Sequence, residues 1–372
     1  MAVSKDDLPV QDWSILCTFL PPGWAEMART TGALRRARDF PDAESLLRVL
    51  LLHVANGYSL AETAVRARQL GVHVSAVAIF KRLQASEEWL RWLAQQERRE
   101  QRVRMESQGR PVRVVDATTV SEPGSTGTDW RVHYAVNLTN LQCDFFELTD
   151  VQGGETLRRV PVRRGDIILG DRIYATPVGV AHIQNARADL VVRLNRQSLP
   201  LFDFSVDKPL QVLRLFRQLK VERAMSWSTR VKQPDGEWIT GRLIAIKRSA
   251  AATRKARQRL ERKASKAQKK VSRASWIAAQ YFAVWTTLPE TFSAEAVLEL
   301  YRLRWQIELA FKRMKSILGL GHLPKKDPAS ARAWLHGKIF VSLLVERMVE
   351  AANSFSPWGY RLPDASQPMA GN

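Results

Sequence analysis

Cysteine is scarce in this chain of 372 residues, since Cys17 and Cys143 are the only two. Two thiols exclude a disulfide framework and a cysteine-rich zinc site, and they favour a reducing compartment. Long apolar runs are also missing, because no stretch approaches the roughly 18 uninterrupted apolar residues of a membrane span. The N-terminal segment MAVSKDDLPVQDW contains acids and no apolar stretch, so it does not resemble a secretory signal. These absences predict a folded, cytoplasmic protein with no membrane partner.

Acidic residues are also scarce relative to basic residues. The chain has 57 lysines and arginines against 37 aspartates and glutamates, which gives a net charge of +20. Such a field favours a polyanionic partner, most often nucleic acid, over anionic lipid. Twelve of the cations and one acid, Glu261, lie in residues 247–273, so this stretch alone carries +11. It is either a basic arm that follows a phosphate backbone or a solvated, partly disordered loop.

Residues 42–105 are predicted to be helical, because apolar residues recur there at helical spacing. Within this region Ser59 and Ser75 can each cap the start of a helix, with a short turn between the two helices. The pattern is that of a helix-turn-helix, whose second helix would carry Lys81 and Arg82 to DNA. An ordinary helical hairpin is the alternative interpretation.

Strand patterns begin near residue 110. Three strands in a meander, followed by a strand–helix–strand unit, predict a mixed α/β sheet. Further short strand-like runs surround the basic stretch, and helical patterns return afterwards. The predicted domains are 1–107, helical and DNA-binding; 108–195, the first part of the core; 196–291, a β-rich basic insertion; 292–345, the second part of the core with Glu308; and 346–372, the end of the C-terminal helix and the tail.

Two aspartates lie where acids are unexpected. Asp116 interrupts the β-branched strand pattern VRVVDATTV, although Asp is disfavoured in strands. Asp171 ends the apolar run of residues 167–170, and active sites gather at the carboxyl ends of sheet strands. A turn residue and a helix cap are the structural alternatives. Gathered carboxylates would bind Mg²⁺, which supports phosphoryl transfer on nucleic acid.

A third acid, Glu308, lies on a helix predicted to run through residues 294–319. By helical geometry Tyr301, Arg304, Glu308 and Lys315 fall within an arc of about 60°, beside an apolar stripe. The alternative is an exposed helix face with an ordinary Arg304–Glu308 ion pair. That alternative leaves the two unexpected aspartates unexplained.

These residues resemble a known family. The spacing Tyr301-x2-Arg304-x3-Glu308-x6-Lys315 resembles the Y-R-E-K signature of the insertion-sequence-four family of bacterial DDE transposases. Asp116 in VVDATTV and Asp171 in ILGDRIYA resemble the first and second aspartates of that family. The resemblance covers about residues 42–345.

The resemblance implies a ribonuclease H-like mixed sheet core, with a β-rich insertion domain and an N-terminal all-helical domain. Asp116 would lie on the central first strand, Asp171 at the end of the fourth strand, and Glu308 on a later helix. The three carboxylates would be catalytic and hold two Mg²⁺ ions, with Mn²⁺ as a substitute. The implied phosphate contacts are Tyr301, Arg304, Lys315 and Arg172, and the candidates for stacking on a flipped base are Trp276 and Trp285.

The resemblance also implies a reaction. Water cleaves the transposon end, the freed 3′-hydroxyl attacks the opposite strand to form a hairpin, water reopens the hairpin, and the 3′-ends then attack target DNA. The partners would be double-stranded DNA, from transposon ends and target, and a second copy of the chain in the DNA complex. The protein would act at the bacterial nucleoid. A ribonuclease H-like nuclease or resolvase, and a domesticated transposase that only binds DNA, are the alternatives.

Overall fold

The computed structural model describes residues 10–35, 39–105, 110–205, 207–221, 223–321 and 323–354, without the side chains of 10–12, 99–105, 353 and 354. The α-helices in this part of the chain are α1 (Val10–Thr18), α2 (Trp24–Thr30), α3 (Ala43–Val54), α4 (Leu60–Gln69), α5 (Ala76–Ala85), α6 (Glu87–Met105), α7 (Pro177–Asn185), α8 (Val212–Leu215), α9 (Ala250–Lys266), α10 (Arg273–Ala278), α11 (Ala294–Arg302), α12 (Gln306–Ser316) and α13 (Pro328–Ser354). The strands are β1 (Val112–Val120), β2 (Trp130–Asn137), β3 (Gln142–Asp150), β4 (Ile167–Gly170), β5 (Asp189–Arg193), β6 (Met225–Lys232), β7 (Trp238–Lys247) and β8 (Tyr281–Thr286).

These strands form one mixed sheet in the order β3-β2-β1-β4-β5-β8-β7-β6. The first three are an antiparallel meander, and β4 and β5 continue beside β1 in parallel. The predicted mixed α/β core, with the first strand in the centre and the fourth beside it, is confirmed. Strands β8, β7 and β6 follow β5 in antiparallel order. The strands of the predicted insertion, residues 196–291, therefore extend this sheet and do not form a second one.

Apolar residues cover both faces of the sheet. On one face a continuous cluster joins the N-terminal helices, α11, α12 and α13 to β1 and β2. On the other face a second cluster packs α7, α8 and the connecting segments against β4, β5 and β7. The chain thus folds as three layers, and the N-terminal helices share their core with the sheet. In the described residues no helix combines the length and the apolarity needed to cross a membrane.

The helical N-terminal region contains the predicted pair of capped helices. The hydroxyl of Ser59 accepts a hydrogen bond from the backbone N–H three residues later at 3.1 Å, and Ser75 does the same at the start of α5. Between them Gly71 adopts φ +74°, a left-handed conformation that suits glycine at a helix end. The sequence-based boundaries of α4 and α5 are confirmed, because the two caps satisfy N–H groups that a helix start leaves unpaired.

The helix predicted to run through residues 294–319 is broken. Helix α11 ends at Arg302, residues Leu303–Trp305 form a 3₁₀ turn, and α12 begins at Gln306. A 3₁₀ turn winds by about 120° per residue, against about 100° in an α-helix. The prediction of one continuous helix is therefore wrong, although Tyr301, Arg304 and Lys315 all contact β1 or the end of β4.

A buried ion network ties the central strand to its neighbours. Arg113 of β1 donates to both carboxylate oxygens of Asp144 on β3 and, at 2.9 Å, to Asp166, directly before β4. All three side chains are buried. A buried charge is tolerated when it is paired and hydrogen-bonded, so this network favours one register of β1 against its neighbours.

Candidate active site

Asp116 on β1 and Asp171, directly after β4, lie side by side at the carboxyl end of β4. In the parallel pair of β1 and β4, Val115 is the partner of Gly170, so each aspartate follows one member of that pair. Strand β4 ends at Gly170, and Asp171 opens a 3₁₀ turn, whereas β1 continues past Asp116 toward Val120. The sheet register therefore brings together two acids that lie 55 positions apart in the sequence, since 171 − 116 = 55.

Both aspartates line a cavity of about 1080 Å³. At this end the cavity has three carboxylates, because Glu155 faces it together with Asp116 and Asp171. The opposite wall is α9, a helix with no buried residue. The cations that line the cavity are Arg172, Arg193, Arg196, Arg248, Lys255, Arg259 and Lys263. Acids at one end and cations around the rest suit a chain of phosphates that passes close to bound metal.

Glu155 was not predicted. It lies in the loop that leaves β3, just before the 3₁₀ turn Leu157–Arg159, and its side chain is 17% exposed. Its carboxylate pairs with Arg131 of β2 at 3.4 Å. A glutamate in the polar segment VQGGETLRR carries no periodicity or capping signal, so only the tertiary structure places it beside the aspartates.

The three carboxylates repel one another. Burial raises the pKa of the Asp116 carboxyl to about 6, and the nearby charges of Asp171 and Glu155 act in the same direction. Burial also raises the pKa of Glu155, again with help from Asp171. The Oδ1 atom of Asp171 is buried and has no hydrogen-bond partner among the described residues. Carboxylates crowded in this way favour a cation or protons between them.

A hard divalent cation fits the chemistry of this end of the cavity. Carboxylate oxygens are the ligands that Mg²⁺ prefers, and the unpartnered Oδ1 of Asp171 is available as one of them. As the described side chains stand, no three His, Cys, Asp or Glu residues converge closely enough to chelate a metal. Binding would therefore need small side-chain movements of the carboxylates.

Glu308, the third predicted carboxylate, is held apart from the aspartates. Its side chain is 60% exposed and accepts a hydrogen bond from Arg304. The same guanidinium lies 3.5 Å from Oδ2 of Asp116. The structure thus places Arg304 between Glu308 and Asp116, so two of the three predicted carboxylates are together and the third is bridged to them by a cation.

Tyr301 and Lys315 attach their helices to the sheet. The Tyr301 side chain is buried, and its hydroxyl donates to the carbonyl of Gly170 at 3.2 Å. The Lys315 ammonium donates to the carbonyl of Thr119 on β1 at 3.1 Å, and burial lowers its pKa. With its hydroxyl engaged and buried, Tyr301 positions the end of β4 in this structure, and its predicted phosphate contact stays a prediction.

The predicted Arg172 does line the cavity, next to cations that were not predicted. Its guanidinium lies 3.5 Å from the side-chain oxygen of Asn195. Arg193 and Arg248 both approach the ring of Phe282, each 5.7 Å from its centroid. Burial and the neighbouring Arg193 lower the pKa of Arg248. These two arginines lie at the ends of strands β5 and β7, a tertiary proximity that local sequence patterns do not reveal.

The two candidate tryptophans differ. Trp285 is fully buried in β8 and donates to the hydroxyl of Thr229 at 3.1 Å, so it is not available to a flipped base. That candidate was wrong, because its apolar strand faces the core. Trp276 is half-buried in α10, with the Arg257 guanidinium 4.5 Å from its ring. It stays a prediction.

On the predicted recognition helix α5, Lys81 and Arg82 have different environments. Lys81 is exposed. Arg82 is half-buried and donates to the carbonyl of Ala33 at 3.4 Å, so part of its function is to hold α5 against the segment between α2 and α3. Lys81 is the freer of the two to meet a phosphate or a base.

Comparisons with known proteins agree with this site. Residues 107–344 match the family model described as "Transposase DDE domain". The transposase InsL for insertion sequence element IS186A of Escherichia coli strain K12 is 31% identical over 356 residues, which cover 93% of this chain and 96% of that protein. The transposase for insertion sequence element IS421 of Escherichia coli is 30% identical over 357 residues, with the same coverage of 93% and 96%.

One solved structure is also similar. The piggyBac transposase in a synaptic complex with hairpin DNA matches with a TM-score of 0.46 and 9% identity, over 91% of this chain and 72% of that one. Similarity at this level carries no further conclusion about fold or chemistry. The sequence relatives and the family model are the informative comparisons.

Proposed function

The chain belongs to the family of transposases with a DDE domain, and on this premise we propose that it cleaves DNA at the inverted-repeat ends of an insertion sequence and joins the freed 3′-ends to target DNA. The observation that carries the proposal is the pair Asp116 and Asp171, set side by side by the register of β1 and β4 at the head of a cation-lined cavity. Within the family, the Y-R-E-K spacing favours the insertion-sequence-four group.

Divalent metal is the cofactor we propose, with two Mg²⁺ ions as the native set and Mn²⁺ as a substitute. Asp116, Asp171 and Glu308 would hold it. When bound, the metal would activate the attacking oxygen and stabilise the leaving oxygen at phosphorus. For Glu308 to take part it must leave Arg304, and an arriving scissile phosphate offers the guanidinium an alternative partner.

The cations of the cavity hold the substrate. Arg304, 3.5 Å from Asp116, and Lys315, which donates to Thr119 on β1, would bind the phosphates beside the scissile one. Arg172 lines the cavity and would extend this contact along its wall. Charge-assisted donors that face a phosphate also stabilise negative charge in the transition state. The exposed cations of α9 would follow the DNA backbone across the cavity, as a basic arm does.

The remaining partners follow from the two-ended reaction. Helix α5, with Lys81 exposed, is the proposed reader of the inverted repeat. Two transposon ends must be cut and joined together, so we propose that two copies of the chain pair in the DNA complex. Hairpin formation, with Trp276 stacked on a flipped base, is the proposed route for cleavage of the second strand.

The test is cleavage and strand transfer on a duplex that carries the terminal inverted repeats flanking the coding sequence. We expect Mg²⁺-dependent cleavage that is lost in Glu308→Gln while DNA binding is kept. Joining of pre-cut ends to a plasmid separates a transposase from a nuclease or resolvase on the same core. Wild-type cleavage by Glu308→Gln would contradict the assignment of Glu308, and binding without any cleavage by the native chain would favour a domesticated DNA-binding protein.

A further inference from the structure

The loop that carries Glu155 is fixed against the sheet beside the aspartates. Arg131 of β2 pairs with Glu155 at 3.4 Å and donates to the carbonyl of Gly153 in the same loop at 2.6 Å. At Gly153 a Cβ would lie 2.2 Å from the side chain of Thr149, so only glycine allows this close approach. The Glu155 carboxylate is therefore held at the cavity wall by a packed loop and an ion pair.

A second unassigned group, the hydroxyl of Tyr174, lies next to the three acids. Tyr174 is 2% exposed, and its hydroxyl has no hydrogen-bond partner among the described residues. Burial raises its pKa, and the charges of Asp116, Glu155 and Asp171 all add to that shift. Gly170 lets the ring approach the end of β4, because a Cβ there would lie 3.1 Å from the Cβ of Tyr174.

The buried polar atoms without a hydrogen-bond partner in this part of the described structure include the Tyr174 hydroxyl and Oδ1 of Asp171. Leaving a buried donor or acceptor unpaired is costly, so such atoms mark the position of a missing partner. A hydroxyl donor beside carboxylate acceptors would bind a water molecule or another oxygen ligand. Mg²⁺ usually keeps several of its waters, and a metal-bound water can donate to the carboxylates and to the oxygen of the Tyr174 hydroxyl, whose own O–H is then free to donate to a neighbouring carboxylate.

We propose that Glu155 and Tyr174 position the cation beside Asp116 and Asp171 by holding its water, and that this shell forms in the DNA-free protein without Glu308. The proposal rests on the proposed function, since it extends the cation site of that reaction. It explains why Glu155 lines the cavity, whereas Glu308 does not line it and is paired with Arg304. Side chains that orient a metal through such outer contacts typically change metal affinity by about 10–100-fold when removed.

The competing interpretation is structural. Glu155 could serve only as the ion-pair partner of Arg131, and the carboxylate would then matter for the stability of the loop and not for the cation. The two interpretations differ in one measurable quantity, the affinity of the DNA-free protein for a divalent cation.

The experiment is Mn²⁺ binding to the full chain without DNA, followed by the electron paramagnetic resonance signal of free Mn²⁺. We expect Glu155→Gln and Tyr174→Phe to weaken Mn²⁺ binding by about tenfold. Asp116→Asn is the reference for loss of the site, and we expect Glu308→Gln to bind within about twofold of wild type, since its side chain is 60% exposed and paired elsewhere. Glu147→Gln is the matched control, because Glu147 also pairs with an arginine, Arg159, at 2.7 Å.

Each outcome decides between the interpretations. Wild-type Mn²⁺ affinity in Glu155→Gln, with loss in Asp116→Asn, overturns this inference and leaves the proposed function intact. Wild-type affinity in Asp116→Asn as well contradicts the cation site of the proposed function. Equal losses in Glu308→Gln and Glu155→Gln overturn the claim that the shell forms without Glu308. If Glu155→Gln does not fold, Tyr174→Phe keeps the test open, because it removes only a buried, unpartnered hydroxyl.

Discussion

The two ends of the cavity hold their charges in different ways. At the acid end, Asp116 and Asp171 are fixed by the register of two buried parallel strands, and Glu155 by a packed loop. At the basic end, α9 has no buried residue and presents its cations to solvent. A rigid sheet suits the cleavage reaction, which needs its carboxylates held in one place. Exposed cations suit a DNA backbone, which is bound mainly through charge. We therefore expect the acid end to control the cleavage rate and the basic end to control DNA affinity.

The largest expected effect is at the acid end. Asp171→Asn should lower the single-turnover cleavage rate by about 10³-fold, because it removes a metal ligand worth several kcal/mol to the transition state. DNA affinity should change little, since Asn keeps the size of the side chain. The measurement is cleavage of an inverted-repeat duplex at saturating protein, alongside a binding titration.

The control for this substitution is Asp207→Asn. Asp207 is exposed and pairs at 3.1 Å with Lys232, which ends β6 at the edge of the sheet away from β1 and β4. A rate loss in Asp207→Asn equal to that in Asp171→Asn would show that the loss reflects charge in general and not a catalytic position.

The second effect is at the basic end. Lys255, Arg259 and Lys263 repeat every four residues and line the cavity. Changing all three to Gln should weaken DNA binding by about 10–100-fold at low salt. It should also reduce the slope of log affinity against log salt by about three, because each cation that neutralises a phosphate adds close to one to that slope. The rate at saturating protein should stay near that of the native chain.

The matched control for that triple change uses the same helix. Arg254, Arg262 and Lys266 carry equal charge on α9 but do not line the cavity. If their replacement by Gln weakens binding as much as the first triple does, α9 contributes only a diffuse field, and the cavity is not the DNA path.

The smallest effect is the pH dependence of stability at the acid end. Burial raises the pKa of folded Asp116 to about 6, whereas an unfolded Asp has a pKa of about 3.9. The folded state thus holds a proton that the unfolded state has lost, so stability falls as pH rises from about 4 to about 6. Asp116→Asn lacks this proton equilibrium.

Between pH 4 and 7, in chelator, the free energy of unfolding of the native chain should therefore fall by about 2 kcal/mol more than that of Asp116→Asn. Burial also raises the pKa of Glu346, to about 7, but that contribution is common to both proteins and cancels in the difference. Denaturant titrations across this range provide the check. Parallel stability curves would show that Asp116 titrates normally and is not crowded.

Parts of the fold and of the candidate site could be predicted from the sequence. Asp116 was found because an acid interrupts its strand pattern, and Asp171 because it follows an apolar run at the carboxyl end of a strand. The caps at Ser59 and Ser75 were found because capping is local. A mixed sheet could be predicted from the meander and the strand–helix–strand unit, whereas the place of β4 beside β1 was implied only by the family resemblance. These features depend on residues that are neighbours in the sequence or on well-known rules of chain connection.

The rest depends on tertiary contacts. Glu155 reaches the aspartates only because its loop packs on β3, and the arginines of the cavity meet only because β5 and β7 end near α9. The 3₁₀ turn at Leu303–Trp305 separates Tyr301 from Glu308, although helical periodicity continues through that segment. Trp285 was ambiguous because an apolar strand pattern does not tell a core aromatic from one that faces a ligand.

The acid end of the cavity is assigned to cleavage and the basic end to DNA binding. The most direct test of this assignment is the single-turnover cleavage rate at saturating protein, measured in parallel for Asp171→Asn and for the Lys255/Arg259/Lys263 triple Gln variant. We expect the aspartate variant to lose about 10³-fold and the triple variant to cleave at nearly the native rate once the DNA is fully bound. A native rate in Asp171→Asn, or an equally slow rate in the saturated triple variant, would contradict the claim that the aspartates on β1 and after β4 carry out cleavage while α9 binds the DNA.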